Sequence, residues 1–319
     1  MSIIQLKPAY KNYLWGGTSL ISQFFKEYDG KVLAESWELS CHKDGESIVS
    51  NGVYTGLPLS DWLRINGMET LGSNCRNLED FPILIKFIDA AQNLSIQVHP
   101  DDLYARKNEG QSGKTEAWYI VDCVNDAFVY LGFQKSISKE EFAERIKNQT
   151  IVEVLSKKQV HKGDMIFVSP GTVHAIGAGI LALEIQQSSN VTYRVYDFGR
   201  KDLNGRTREL HIEKACEVAD LQPYRPNYDF HGHLVDCPYF TVDLLLIKES
   251  FLNVVFGDSF HSLIVLEGEG VITCGDETCT IRKGDSIFLP AESGEYRIMG
   301  CCEALLTTIQ NEMQLRINA

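Results

Sequence analysis

Four short segments of the 319-residue chain hold the residue types that bind metals and move protons. In "LSIQVHPDD", residues 94–102, Gln97 and His99 stand two apart among apolar Ile96 and Val98. "SGKTEAWYI" spaces Lys114 and Glu116 in the same way, "SPGTVHAIG" carries His174, and "LEIQQSSNVTYRVYDFGR" carries Glu184 and Arg194. Side chains two apart share one face of a strand, so the polar residues line one face and the apolar ones the other. Turned to water, such a face needs no explanation. Turned inward, unpaired carboxylate and imidazole groups are costly, and a metal ion resolves the cost. Two imidazoles, one carboxylate and one amide oxygen form a borderline donor set suited to Zn2+, and also to Fe2+, Mn2+ or Co2+.

The elements that position these residues are mostly strands. Runs rich in Val, Ile, Phe and Tyr, punctuated by Gly, Asp and Asn, recur over residues 30–55, 82–133, 159–199 and 234–309, the pattern of antiparallel β-structure. Helices are expected at "SDWLRING" after Ser60, at "SKEEFAERIKNQ" with Ser138 and Glu141 as a capping box, at "TIVEVLSKK" from Thr150, and at "HIEKACEVAD", residues 211–220. An internal echo matches "KGDMIFVSPGTVHAIGAG" at 162–179 with "KGDSIFLPAESGEYRIMG" at 283–300. Each copy runs from a Gly-Asp turn through an apolar strand to a proline, the unit that a jelly roll repeats. The chain therefore reads as mainly β: two jelly-roll barrels with a few covering helices, joined near "LQPYRPNYDFHGH", residues 221–233. The division expected is 1–230 with the metal site and helical insertions, and 231–319 without a metal. Aligned on the prolines, Gly294 stands in the second copy where the first has His174.

Composition narrows the function. A net charge of -13 and a pI near 5.1 leave no basic stripe for nucleic acid, so an anionic substrate must be met by a few placed cations. The opening "MSIIQLKPAYKNYLW" lacks a signal-peptide core and no run approaches a membrane span, which makes the cytoplasm the expected location. Nine scattered cysteines without a CxxC pair read as reduced thiols.

Taken together, the four segments resemble the type I phosphomannose isomerases of the cupin superfamily. Supporting matches are "YLWGG" at 13–17, "AESWELS" at 34–40, "PILIKFIDA" at 82–90 and "NVTYRVYDFGR" at 190–200. The resemblance covers essentially the whole chain and is nearest to the short bacterial branch, which lacks a large inserted helical domain. It implies two cupin-type barrels, one zinc held by Gln97, His99, Glu116 and His174, and interconversion of mannose 6-phosphate with fructose 6-phosphate by a monomer or weak homodimer. Such an isomerisation moves a proton from C2 to C1 through an enediolate, with zinc as the Lewis acid over O1 and O2.

The remaining roles follow from residue chemistry. Lys114 shares a strand face with Glu116, and Arg194 offers a planar fork for oxyanions. The division expected is Arg194 on the enediolate and Lys114 on the phosphate. Enteric relatives carry a His before the equivalent Lys, where this chain has Gly113, so Glu184 is the leading proton carrier and zinc-bound water its rival. Trp15 is a candidate wall for the sugar. "HGH" at 231–233 has ligand spacing but falls in the joining segment, and "EGEG" at 267–270 reads as a hairpin turn. Two other readings stay open: an iron oxygenase, whose facial triad also takes two His and one carboxylate, and a non-catalytic sugar-phosphate-binding module.

Overall fold

The computed structural model describes residues 2–78, 80–201, 205–226 and 228–309. Three antiparallel sheets lie in layers. The middle sheet has six strands in the order Met165–Val168, Glu116–Cys123, Ile180–Gln187, Ile83–Ala90, Glu35–Leu39 and Ala9–Lys11. Residues 83–90, 116–121 and 180–187 are buried without a break, because both faces of this sheet are covered. On one face Ile88, Trp118, Ile120 and Ala182 pack against Val129, Leu131 and Ile176 of a five-stranded sheet. On the other, Phe87, Tyr119, Leu183 and Ile185 pack against Ile4, Phe260, Phe288 and Leu305 of a nine-stranded sheet. Strand alternation puts Lys86, Glu116, Glu184 and Gln186 on the same face as Trp118, toward the five-stranded sheet.

That second sheet runs Tyr193–Tyr196, Ile96–Val98, His174–Ile176, Phe128–Phe133 and Leu155–Gln159. Its outer face is roofed by the helices Lys139–Lys147 and Ile212–Val218, which bury Phe142, Ile146 and Ala215 against Ile96, Val98, Phe133 and Ala175. None of the three sheets closes on itself among the described residues, so the pairings show a mainly β fold of facing sheets rather than closed barrels.

The sequence echo extends to the whole strand layout. In the first copy Met165–Val168 pairs with Glu116–Cys123, then Ile180–Gln187, then Ile83–Ala90. In the second, Ser286–Leu289 pairs with His261–Cys274, then Gly294–Thr308, then Thr241–Ile247. His174 lies opposite Gln97 as Gly294 lies opposite Val255, and Glu116 lies opposite Val168 as His261 lies opposite Leu289. The nine-stranded sheet is not made by the C-terminal segment alone, since Ile4–Lys7 and Ile48–Val49 complete its edge.

Several expectations change. "EGEG" is no hairpin turn: it lies inside the 14-residue strand His261–Cys274, where the ladder shifts register between Val265 and Glu267 and Gly268 takes φ +76°. A glycine at such a bulge lets one long strand bend across two packing surfaces. The segment from Thr150 is a single 3-10 turn, Ile151–Glu153, followed by the strand Leu155–Gln159; its β-branched Thr150, Ile151, Val152 and Val154 make it a poor helix former. Ser138 does cap its helix, accepting from Glu141 N, but the Glu141 carboxylate binds Arg145 instead of closing a box. An unexpected helix, Asp102–Glu109, follows the Gln97–His99 segment, capped by Asp101 at its start and by left-handed Gly110 at its end. The joining segment is pinned rather than free: Tyr224 donates to Phe167 O at 3.0 Å, and Tyr228 and Phe230 pack on Phe167.

Candidate metal centre and active site

Facing strands bring three expected ligands together. His99 follows Ile96–Val98 and His174 opens His174–Ile176, both in the five-stranded sheet, while Glu116 opens its strand in the middle sheet. All three are buried, and their ligating atoms lie within 4.8 Å of one another. His174 Nε2 stands 3.1 Å from Glu116 Oε1, and His99 Nε2 stands 3.4 Å from Glu116 Oε2.

The protons lie elsewhere. His99 Nδ1 donates to Val191 O and His174 Nδ1 to Thr172 O, each at 2.8 Å, since a carbonyl can only accept. Burial, reinforced by the Lys114 ammonium, drives the His99 imidazole down to about 3, and burial lowers His174 as well, so both rings are neutral at ordinary pH. Their Nε2 lone pairs turn toward a carboxylate whose Oε1 is buried without a hydrogen-bond partner, and are met at a long 3.4 Å by Lys114 Nζ at His99 and by Gln97 Nε2 at His174. Burial opposes the charge on Glu116, but Lys114 and the imidazoles beside it hold the carboxyl well below its usual range. The converging lone pairs of two neutral imidazoles and one carboxylate are what a divalent metal satisfies, so these residues fit one. Gln97 lies opposite His174 in the ladder, with its amide 3.4 Å from His174 Nε2.

From the ligands a row of alternating charge runs along the middle sheet. Lys114 contacts Glu116 and lies 3.6 Å from Glu184; Lys86 lies 2.7 Å from Glu184 and 3.8 Å from Glu35. All five side chains are buried. Trp118 Nε1 adds a hydrogen bond to Glu184 at 2.9 Å. Burial raises the Glu184 carboxyl in spite of its two ammonium neighbours. Burial works against the Lys86 ammonium, yet Glu184 and Glu35 hold it above the ordinary lysine value.

A group of arginines lies beyond the ligands. Arg194 is opposite Gln97 in the ladder, hence on its face. Its Nη1 donates to Glu209 O at 3.0 Å and its Nε is buried without a partner. Arg200 and Arg208 converge on Asp197, with Nε contacts of 3.0 and 2.7 Å. Trp15 is only 5% exposed, and Tyr13 stacks on it with ring centres 5.4 Å apart, so Tyr13 takes the outer position expected of Trp15. Burial and Glu35 raise the Tyr13 phenol while Lys86 and Arg208 pull it back, which sets it within electrostatic reach of both cation groups. Gly113 is held glycine by space: a Cβ there would lie 2.5 Å from the Asp101 and Asp102 backbone.

The chain is matched by two family models, phosphomannose isomerase type I, catalytic domain, over residues 3–119, and mannose-6-phosphate isomerase, cupin domain, over residues 231–309. It is 38% identical to mannose-6-phosphate isomerase ManA of Bacillus subtilis, over 94% of this chain and 97% of that one. The chain belongs to the type I mannose-6-phosphate isomerase family. A mannose-6-phosphate isomerase of Streptococcus mutans is 39% identical over 92% of this chain and 93% of its own. The crystal structure of the Bacillus subtilis mannose 6-phosphate isomerase superposes with a TM-score of 0.87 at 36% identity, covering 96% of this chain and 99% of that one. Within the family frame, the structure gathers Gln97, His99, Glu116, His174, Lys114 and Glu184 around one point, with Arg194 alongside. It adds Lys86 and Glu35, which the sequence reading passed over. The signal for Lys86 was a lone lysine inside the apolar run "PILIKFIDA".

Proposed function

We propose that this chain interconverts mannose 6-phosphate and fructose 6-phosphate with one divalent metal, Zn2+ suiting the donor set best. The observation that carries the reading is the trio His99, Glu116 and His174, converging on one point and continuous with the buried Lys114-Glu184-Lys86 row, in a chain that matches the family from end to end. Gln97, whose amide Nε2 stands 3.4 Å from His174 Nε2, becomes the fourth ligand once its amide turns to present the oxygen. When bound, the metal supplies Lewis acidity toward the sugar oxygens at C1 and C2. Glu184 carries the proton between the two carbons; burial raises its carboxyl above the ordinary range, the direction that suits a group which both takes and returns a proton. Lys86 and Lys114 fix its position from either side.

The geometry favours a reversal of the expected division between the cations. Lys114 touches a metal ligand and the proton carrier, so it acts at the reacting oxygens. Arg194 stands with Arg200 and Arg208, and this group receives the phosphate. The same reading takes the chain as two cupin-type jelly-roll units, 1–230 with the site and 231–319 without it, working in the cytoplasm as a monomer or weak dimer. No helix among the described residues is long and apolar enough to cross a membrane. The test is a coupled assay on mannose 6-phosphate with metal analysis. Fructose 6-phosphate should form, chelation should stop it, and Zn2+ should restore it. Full turnover by metal-free protein would overturn the metal role, and no turnover of the loaded protein would overturn the reaction.

A further inference from the structure

Both imidazoles of the metal centre are aimed by backbone carbonyls, Val191 O for His99 and Thr172 O for His174. A carbonyl is only as well placed as the loop that carries it. The loop after the strand Ile180–Gln187 turns through Ser188, Ser189 and Asn190 before Val191, and its inner side is tied by one side chain. Gln186 Nε2 donates to Ser189 O at 2.6 Å and to Gln187 O at 2.9 Å. Ser189 Oγ in turn accepts from Val191 N at 3.3 Å. Both partners of Nε2 are carbonyls, which fixes the amide's orientation.

We propose that Gln186 is a positioning residue of the metal centre, acting through Ser189 and Val191 on the tautomer and aim of His99. Gln186 is fully buried and lies opposite Glu116 in the ladder, on the face of the site. Its Oε1 is buried with no hydrogen-bond partner. An orphaned acceptor is destabilising, and an apolar side chain of equal size would avoid it. The amide is therefore better explained by what its Nε2 holds than by packing. His99 has no side-chain carboxylate to orient it, so the loop tie does the work that a second carboxylate does in other metal sites.

The inference rests on the metal reading above, and the experiment separates the two. Gln186→Met keeps the volume and removes the donor. Zn2+ affinity of the metal-free protein is measured by competition with a chromophoric chelator, and the His99 tautomer by long-range proton-nitrogen NMR without metal. The wild-type protein should bind Zn2+ and show His99 protonated at Nδ1. Gln186→Met should bind Zn2+ roughly 10- to 100-fold more weakly and show mixed His99 tautomers, with His174 unchanged as an internal control. Ser189→Ala, a gentler cut in the same tie, should weaken Zn2+ less, and serves if Gln186→Met does not fold. Asn190→Ala, whose side chain reaches out to Asp44, should change neither readout. Wild-type tautomer and affinity in both Gln186→Met and Ser189→Ala would overturn the role of Gln186. A wild-type protein that binds no Zn2+ would instead overturn the metal reading, with the tautomer still deciding whether Gln186 aims His99.

Discussion

The two copies of the strand layout use one ladder for opposite interiors. Where the first sets Gln97, Glu116, His174 and Glu184, register places Val255, His261, Gly294 and Leu306 in the second. The second interior is filled instead by Val265, Ile272, Ile287, Tyr296 and Ile298. Its one remaining imidazole, His261, meets the Tyr296 hydroxyl at 3.3 Å, and burial lowers it to about 4. The comparison shows that backbone pairing leaves the interior free. The polar ligand residues persist inside the first copy because their lone pairs converge on one point, and apolar packing serves where no such point exists.

The largest effect should come from the matched position of the two copies. Glu116→Gln should lose Zn2+ and at least about 10²-fold in kcat/KM, whereas His261→Ala, its counterpart, should leave metal content and turnover unchanged. Equal losses in both variants, read by elemental analysis and steady-state kinetics, would break the comparison. Next in size is the division of cations within the first copy. Lys114→Ala should lower kcat by roughly 10²-fold, and Arg194→Ala should chiefly raise KM for mannose 6-phosphate; the opposite split would return Arg194 to the reacting oxygens.

A smaller effect is shared by both copies and appears on acidification. His99, His174 and His261 are held neutral in the folded protein, with values lowered from 6.5, to about 3 for His99 and about 4 for His261. Above pH 6.5 neither state binds these protons. As pH falls below 6.5 the unfolded chain takes up protons that the folded one refuses, so stability of the metal-free protein should drop steadily down to about pH 4. His261→Leu should flatten that slope by about one proton in denaturation followed from pH 7 to 4.5, and an unchanged slope would show that His261 is not held neutral. The smallest effect belongs to Gly294, which takes φ +81° with open space around its missing Cβ. Gly294→Ala should cost about 1 kcal/mol from backbone strain alone, seen as a shifted denaturation midpoint with full activity.

What could be read from sequence was what has a period. Gln97 with His99 and Lys114 with Glu116 stand out because a strand repeats every two residues and polar side chains at that spacing share a face. Lys86 has apolar Leu84 and Ile88 two positions away on either side, so no pattern marked it; only the facing strand, with Glu184 opposite, explains it. The helix Asp102–Glu109 buries just Ala105 and so has no apolar stripe, although Asp101 and Gly110 spelled out both caps. Arg194 was visible as a cation, but its company was not, because Arg200 and Arg208 meet at Asp197 from positions outside any strand, where no periodicity marks them. Trp15 shows its aromatic character in the sequence, whereas the Tyr13 ring stacked on it does not.

The strand Ile4–Lys7 lies inside the nine-stranded sheet, pairing Ile4 with Phe288 and Leu6 with Ser286 on one side and Leu6 with Val49 on the other. Its consequence lies in the order of synthesis. Ile4–Lys7 can meet Ile48–Val49 soon after it is made, but its other side stays an unpaired edge until the second copy of the layout has followed. Contacts of such long sequence separation fold slowly and leave sticky edges exposed. A fragment beginning at residue 231 would lack this strand altogether, and Ile4–Lys7 is in that sense a piece of the C-terminal sheet carried at the other end of the sequence.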